Sequence, residues 1–510
     1  MIVEDQSGTI AFLQDPASHG LPGPVERIET HISEIFLLGD KAFKLKRAVS
    51  LPYADFSTPE LRLEFCHREV ERNRRTAPGL YRGVRTIVRN DGGELQFGGE
   101  GELVDAVVEM VRFDGQAILD NMAKRDAISP ALMRDVADEI AAFHGKLEPV
   151  TGVRGSALMN EVLAINESGF ATSDVFSGKE IAQLCSHFRL ALEKHQQRLD
   201  RRSDEGHIRL GHGDLHLRNI CMFNDRPTLF DCIEFNDRIA TVDVLYDLAF
   251  LLMDLWHRGK RDLASLAANR YCDRTGNDDG WSLLPFFMAV RSAVRAHVTA
   301  TQVAEADSRD EKLISAARSY FDLARELLGE TGPRLVALGG LSGSGKSTLA
   351  DAISPALGLA PGARILESDR IRKALHGTAP ETALPAVAYA PEVSNRVYGE
   401  MNRRAEQLLD DGCTVVANGV FANRRQRRAI GEVASQAGVP FAGIWLEAPP
   451  EVLLNRVATR SKTASDADVA VLQKQLAGIG RADDWLLLPV TGPASETAKA
   501  ALSAILKTGN

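Results

Sequence analysis

The stretch Gly340-Leu-Ser-Gly-Ser-Gly-Lys-Ser-Thr348 decides the fold of the C-terminal part of the chain. Gly340, Gly345, Lys346 and Ser347 satisfy G-x-x-x-x-G-K-[ST], the Walker A phosphate loop. The apolar run before it, Arg334-Leu-Val-Ala-Leu-Gly339, reads as a short buried strand, and 347–357 reads as a helix. Strand, glycine-rich loop and helix N-terminus together form a phosphate cradle of backbone N–H groups in a positive potential. The loop residues Gly340, Ser342, Gly343, Ser344, Gly345, Lys346, Ser347 and Thr348 are therefore the expected nucleotide contacts. Lys346 is expected to reach the β/γ-phosphates, and Ser347 to ligate Mg²⁺.

Outward from the loop, strands and helices alternate. Strands are expected at 334–339, 363–368, 413–418, 440–446 and 485–490, and helices at 346–357, 394–410, 424–437, 450–460 and 466–478. Such alternation predicts parallel β with crossover helices, a doubly wound α/β sheet. Glu367-Ser-Asp-Arg-Ile-Arg372 follows the second strand. Asp369 is the candidate base that activates an acceptor, and Arg372 a candidate for binding the substrate or its phosphate. Arg456 and Arg460 fall at i and i+4 on one helix face, an arrangement suited to a lid over transferring phosphate. The third strand ends in Asn418-Gly419, with no aspartate to share a metal with Ser347.

Upstream, Gly329-Glu-Thr-Gly-Pro333 is the expected boundary between domains at 1–330 and 331–510. Strand-like runs at 35–38, 42–45, 83–88 and 103–111 surround one helix, which opens at Ser57-Thr-Pro-Glu60 and runs to about residue 75. A small lobe over 1–113 is followed by a mostly helical lobe over 114–330, interrupted at 208–238. This is the bilobal layout of a protein-kinase-like fold.

His212-Gly-Asp-Leu-His-Leu-Arg-Asn219 has the H-x-D-x-x-x-x-N spacing of a kinase catalytic loop. Phosphoryl transfer needs a carboxylate to orient the acceptor hydroxyl and receive its proton, which assigns Asp214. It also needs ligands for a phosphate-bridging metal, which assigns Asn219 and, on the following hairpin, Asp231, with Glu234 close enough to compete. Lys44 and Lys46 share one face of a strand; Lys44 is favoured as the phosphate-side lysine, with Glu69 as its partner and Glu64 and Glu71 as alternatives.

With these motifs in place, residues up to about 330 resemble the aminoglycoside phosphotransferase family, which includes choline and fructosamine kinases. The H-G-D-L-H-x-x-N form and the aspartates of Val242-Asp-Val-Leu-Tyr-Asp247 carry the resemblance. It implies structural roles for Asp243 and Asp247 around the catalytic loop. Two departures stand out. Glu29-Thr-His-Ile-Ser33 lies where a glycine-rich loop is expected, and Asp231 and Glu234 are one residue further apart than in the common D-x-E pattern. Residues 334–510 resemble small P-loop kinases of the gluconate kinase, polynucleotide kinase and zeta-toxin type, often described as AAA-type ATP-binding domains.

The two resemblances imply a bifunctional phosphotransferase using ATP (GTP stays open) and Mg²⁺ on small-molecule hydroxyl substrates. The alternative is a P-loop kinase or toxin-like ATPase regulated by a nucleotide-binding N-terminal domain. Of the 510 residues, 44% are hydrophobic and 25% charged, as in globular proteins, and a net charge of −9 argues against general nucleic-acid binding. A polynucleotide 5′-end stays open as acceptor for the C-terminal domain. Six scattered cysteines without a C-x-x-C pair, no signal-peptide pattern and no long apolar run point to the cytoplasm and away from membranes.

Overall fold

The computed structural model describes residues 3–51, 54–305, 310–459, 465–480, 482–490 and 492–508. Packing divides the chain into two compact units: residues 1–162 with 196–251, and residues 163–195 with 252–510. The units therefore cut across the sequence division at residue 330.

The first unit is built on a six-stranded antiparallel sheet. Its central strand Lys41–Lys46 lies between Ser33–Leu38 and Glu102–Val111. The alternation of that strand decides what each face buries. Phe43 and Leu45 pack with Leu13 and Phe36 in one apolar cluster. Ala42 packs in another with Cys66 and Val70 of the helix Pro59–Arg74. Lys44 and Lys46 share the face of Ala42, so the fold delivers two lysines to the helix that carries Glu69. The helix begins within the expected stretch but is capped by Thr58, one residue past the Ser57 of the capping-box spacing: the Thr58 hydroxyl accepts from the Leu61 N–H at 3.3 Å, and Pro59 occupies the first turn. The N-terminal helix Ser7–Gln14 and the exposed strand Glu26–Glu29 add to the expected lobe.

In the same unit, the strand Ile208–Leu210 pairs with Thr241–Asp243. Between them lie a 3₁₀ turn, Leu217–Asn219, and the hairpin of Ile220–Phe223 with Arg226–Leu229. Asn224 and Asp225 both adopt positive φ, 50° and 59°, the conformation that tight two-residue hairpins require.

In the second unit a five-stranded parallel sheet runs in the order Arg364–Glu367, Val415–Asn418, Leu335–Gly339, Phe441–Glu447, Leu486–Pro489. The expected strands and crossover helices are all found, within a few residues. The Walker strand is central and buried at every position, so its loop opens at the carboxyl edge of the sheet, where ligands of open α/β folds bind. Leu349, Ala350 and Ile353 of the helix Lys346–Ile353 pack with Ala498, Ala501 and Ile505 of the last helix, Ala494–Lys507. Helices Arg261–Thr275, Leu284–Glu305 and Glu311–Leu327 belong to this unit as well.

Candidate active sites

In the first unit, Lys44 Nζ donates to Glu69 Oε1 at 2.9 Å and to Asp231 Oδ1 at 2.5 Å. Lys46 Nζ donates to Glu69 Oε2 at 2.7 Å and to Glu234 Oε1 at 2.5 Å. The two lysines thus share Glu69 and divide the other carboxylates between them. Burial works against the Lys44 charge, but Asp231 and Glu69 outweigh it and hold its pKa well above the ordinary value. Glu234 is buried with Lys46, whereas the Asp231 side chain keeps 40% of its surface exposed. Of the two competing carboxylates, Asp231 is the one within reach of a ligand. Glu64 and Glu71 take no part in the lysine contacts described here.

The backbone around Asp231 is pinned. Its N–H donates to the Tyr81 hydroxyl at 3.2 Å, and the Cys232 N–H donates to Asn73 Oδ1 at 2.8 Å. Asp231 itself sits at φ 62°, a conformation that non-glycine residues adopt at a cost and that recurs at functional sites.

Asn219 Nδ2 donates to both the carbonyl and Oδ2 of Asp214, at 2.9 and 2.8 Å. The amide nitrogen is turned to the aspartate, so the amide oxygen is the end able to take a cation. His216 Nε2 lies 3.3 Å from Asp214 Oδ2, and its ring meets Phe250 edge-on at 5.0 Å. Asp247 accepts from the backbone N–H groups of His212 (2.7 Å) and Gly213 (3.0 Å). Arg202 grips Asp243 through Nε and Nη2 at 2.8 and 2.9 Å, while Asp243 also accepts from the Leu245 N–H. Asp247 braces the loop, and Asp243 caps the helix Val244–His257, the structural parts that the resemblance implies for them. The turn at Glu29–Ser33 is closed by Thr30, whose N–H donates to the Ser33 carbonyl at 2.8 Å. No glycine lies in it.

In the second unit the phosphate loop needs its glycines. Gly340 and Gly343 have φ of 141° and 82°, and a Cβ there would come within 2.8 Å of the Leu446 carbonyl and 2.9 Å of the Leu453 carbonyl. Lys346 Nζ donates to the carbonyls of Gly340 and Leu341 at 2.9 and 3.0 Å. Ser342 N–H donates to Gln475, and Thr348 follows in the helix's first turn. The Ser344 hydroxyl is buried and makes no hydrogen bond among the described residues.

Ser347 Oγ donates to Glu367 Oε1 at 2.7 Å and accepts from Asn418 Nδ2 at 3.2 Å. The third strand offers no carboxylate, as expected, but the second strand does. Glu367 ends the second strand, whereas the family pattern directs attention to an acid at the end of the third. Its position directly before Ser368-Asp369 was the available signal. Hydroxyl and carboxylate oxygens are donors that a hard cation such as Mg²⁺ takes, so Ser347 and Glu367 fit the metal.

Asp369 is half-buried beside Glu367; desolvation first, then the Glu367 charge, pushes its carboxyl above the ordinary value. Arg372, expected at the substrate, donates from Nη1 to the Ala388 carbonyl at 2.7 Å and stacks over the Tyr389 ring at 4.7 Å. Asp466, in the stretch Ser465–Asp468 that the sequence places at a helix start able to hinge the lid, accepts from Lys373 (2.8 Å), the Tyr389 hydroxyl (2.5 Å) and the Leu384 N–H (3.0 Å). Arg456 Nη1 reaches the Gly343 carbonyl at 3.4 Å. Arg460 lies outside the described residues.

These two sites define a chain of kinase class, with one protein-kinase-like and one P-loop phosphate-handling centre. Residues 59–284 match the phosphotransferase enzyme family and residues 335–481 match an AAA domain family. The chain thus carries a phosphotransferase-family match followed by an AAA-domain match. It is 28% identical over 466 residues to an uncharacterized protein of Mycobacterium tuberculosis, covering 90% of each chain. It is 27% identical over 129 residues to the adenylyl-sulfate kinase of Myxococcus xanthus, covering 25% of this chain and 65% of that one. Among solved structures it is similar to a choline/ethanolamine kinase family protein from Mesorhizobium loti, with 15% identity, 63% of this chain and 94% of that chain covered, and a TM-score of 0.39. Among the described residues no helix is long and apolar enough to cross a membrane.

Proposed function

We propose that the chain is a bifunctional phosphotransferase, each domain moving the γ-phosphoryl of a nucleoside triphosphate to the hydroxyl of a small molecule. The observation that carries this reading is Lys44 bonded at once to Glu69 and Asp231. A domain kept only as a scaffold has no need of a lysine held between a helix carboxylate and a half-exposed carboxylate on the catalytic hairpin. In this reading Asp214, fixed by Asn219, orients the acceptor hydroxyl and takes its proton. Lys44 binds nucleotide phosphates, and Asn219 and Asp231 would hold the metal. In the P-loop domain, Asp369 is the base, Lys346 binds the phosphates, and Ser347 with Glu367 would hold the metal. A Mg²⁺ held by these residues would supply positive charge to offset the charge that develops on the phosphoryl group. Arg456 serves as a cation near the phosphate loop, and Arg372 positions the segment around Tyr389 against which an acceptor would bind.

The glycine-free turn at Glu29–Ser33 favours a second reading, in which the first domain binds nucleotide and regulates the P-loop kinase. One experiment separates the two. Phosphoryl transfer from ATP or GTP to a panel of hydroxyl compounds, including a polynucleotide 5′-hydroxyl, is measured for wild type, Asp214→Ala and Lys346→Ala. Loss of a different product in each variant supports bifunctionality. Loss only in Lys346→Ala leaves the first domain regulatory.

A further inference from the structure

The helix Arg261–Thr275 lies within the 59–284 phosphotransferase match, yet it packs in the unit of the P-loop sheet. Its Asp273 side chain is buried between two arginines, Arg364 of that sheet's strand Arg364–Glu367 and Arg370 of the helix Ser368–Leu375 that follows it. Asp273 Oδ1 accepts from Arg364 Nη2 at 2.7 Å, and Oδ2 accepts from Arg370 Nη1. Arg370 Nε in turn lies 2.8 Å from Glu367 Oε2, and Glu367 Oε1 is the atom that accepts from Ser347. An unbroken series of contacts therefore runs from Asp273 through Arg370 and Glu367 to the hydroxyl of the phosphate loop. Burial opposes the Asp273 charge, but the two guanidinium groups outweigh it and keep the carboxyl below its usual range.

We propose that Asp273 is a positioning residue for the P-loop site, holding Arg370 so that Glu367 keeps one carboxylate oxygen on Ser347. The inference rests on the reading of that loop as the metal–nucleotide site. The argument is geometric. A guanidinium is a planar fork that prefers to grip a carboxylate with two parallel bonds. With Asp273 in place, Arg370 is shared between two acids, and its Nε faces only Oε2 of Glu367, as an ion pair without hydrogen-bond alignment. Without it, the fork is free to close on both oxygens of Glu367 and draw Oε1 away from Ser347. Residues that orient metal ligands from behind commonly change metal affinity by 10- to 100-fold when replaced.

The neighbouring Asp278 provides the control. It binds Arg364 Nε at 2.8 Å and Arg404 Nε at 2.7 Å, so it supports the same buried arginine without touching Arg370. The test is a Mg²⁺ titration of fluorescent ATP-analogue binding to the full chain, counting only the component that Lys346→Ala abolishes. Asp273→Asn and Arg370→Gln are expected to raise half-saturating Mg²⁺ by about tenfold, with metal-free nucleotide binding unchanged. Asp278→Asn is expected to keep the wild-type Mg²⁺ dependence. Should Asp273→Asn not fold, Arg370→Gln decides alone, since it cuts the same series and leaves Arg364 paired. Wild-type Mg²⁺ dependence in Asp273→Asn and Arg370→Gln, or an equal shift in Asp278→Asn, overturns the proposal and leaves the nucleotide-site reading intact. Absence of any Lys346-dependent component overturns that reading, and the proposal with it.

Discussion

Lys44 and Asp231 are 187 positions apart in sequence and meet at 2.5 Å. Two residues along the same strand, Lys46 makes the matching pair with Glu234 at 2.5 Å. The pairs look alike but differ in exposure: the Lys46 and Glu234 side chains are 1% and 5% exposed, against 13% and 40% for Lys44 and Asp231. One pair is part of the core, and the other is partly open to solvent.

The two lysines should therefore fail differently. Lys46→Met leaves Glu69 and Glu234 buried with one cation fewer, which costs about 3 to 5 kcal/mol of stability. Lys44→Met should lower Asp214-dependent phosphorylation by on the order of 10²-fold, with a smaller loss of stability. Thermal unfolding and steady-state kinetics on both variants check this. The reverse pattern, with Lys46→Met stable and inactive, would exchange the assignments.

Asp247 supports the catalytic loop from behind through two backbone N–H groups. Asp247→Asn keeps the shape but replaces one charged acceptor oxygen with a donor that faces an N–H. The expected loss is about 1.5 to 3 kcal/mol of stability, together with a fall in kcat for the Asp214-dependent reaction and an unchanged KM for ATP. A rise in KM with kcat intact would place Asp247 in nucleotide binding instead.

Burial and the Glu367 charge both raise the Asp369 pKa above its model-compound value of 3.8. A base works only when deprotonated, so the acid limb of kcat/KM for Lys346-dependent phosphorylation should lie above that value. Glu367→Gln removes the like charge and leaves the burial, so the limb should move to lower pH, whatever happens to the height of the profile. A limb that stays fixed or moves up in Glu367→Gln would remove Asp369 from the role of base.

Local patterns made much of this structure readable. The five parallel strands are apolar runs bounded by turn residues, and the Walker loop sits between a strand and a helix because only that context forms its cradle. Lys44 and Lys46 share a face by strand period alone, and H-x-D-x-x-x-x-N fixes Asp214 and Asn219 by spacing. What stayed hidden is what no local period encodes. Choosing Asp231 over Glu234 depends on which one the fold leaves partly exposed. The strand Glu26–Glu29 is exposed at every position and carries three charges in four residues, so it has no buried alternation to reveal it. Arg364 and Asp273 are 91 positions apart, and their pairing follows only from the packing of a helix onto the sheet.

That packing also predicts how the P-loop domain behaves when cut out. Division at residue 331 removes the helix Arg261–Thr275 and the turn Asp278–Leu283 that follows it. The sheet then loses the bonds of Ser265 to Ser354, Asn269 to the Ala363 carbonyl, the Ile365 N–H to Asn269, and Trp281 to the Gly362 carbonyl. At about 1 kcal/mol for each neutral bond, these are worth about 4 kcal/mol, before the loss of the two acids that neutralise Arg364. The strand Arg364–Glu367 carries Glu367 at its end, so loosening it disturbs the metal side of the phosphate loop first. Amide hydrogen exchange compared between the full chain and a 331–510 fragment should show protection collapsing at Ile365 and Leu366 while the central strand Leu335–Gly339 is less affected. Equal protection of Ile365 in both would mean that the sheet is complete without the helix, and that the boundary at residue 330 is a structural one after all.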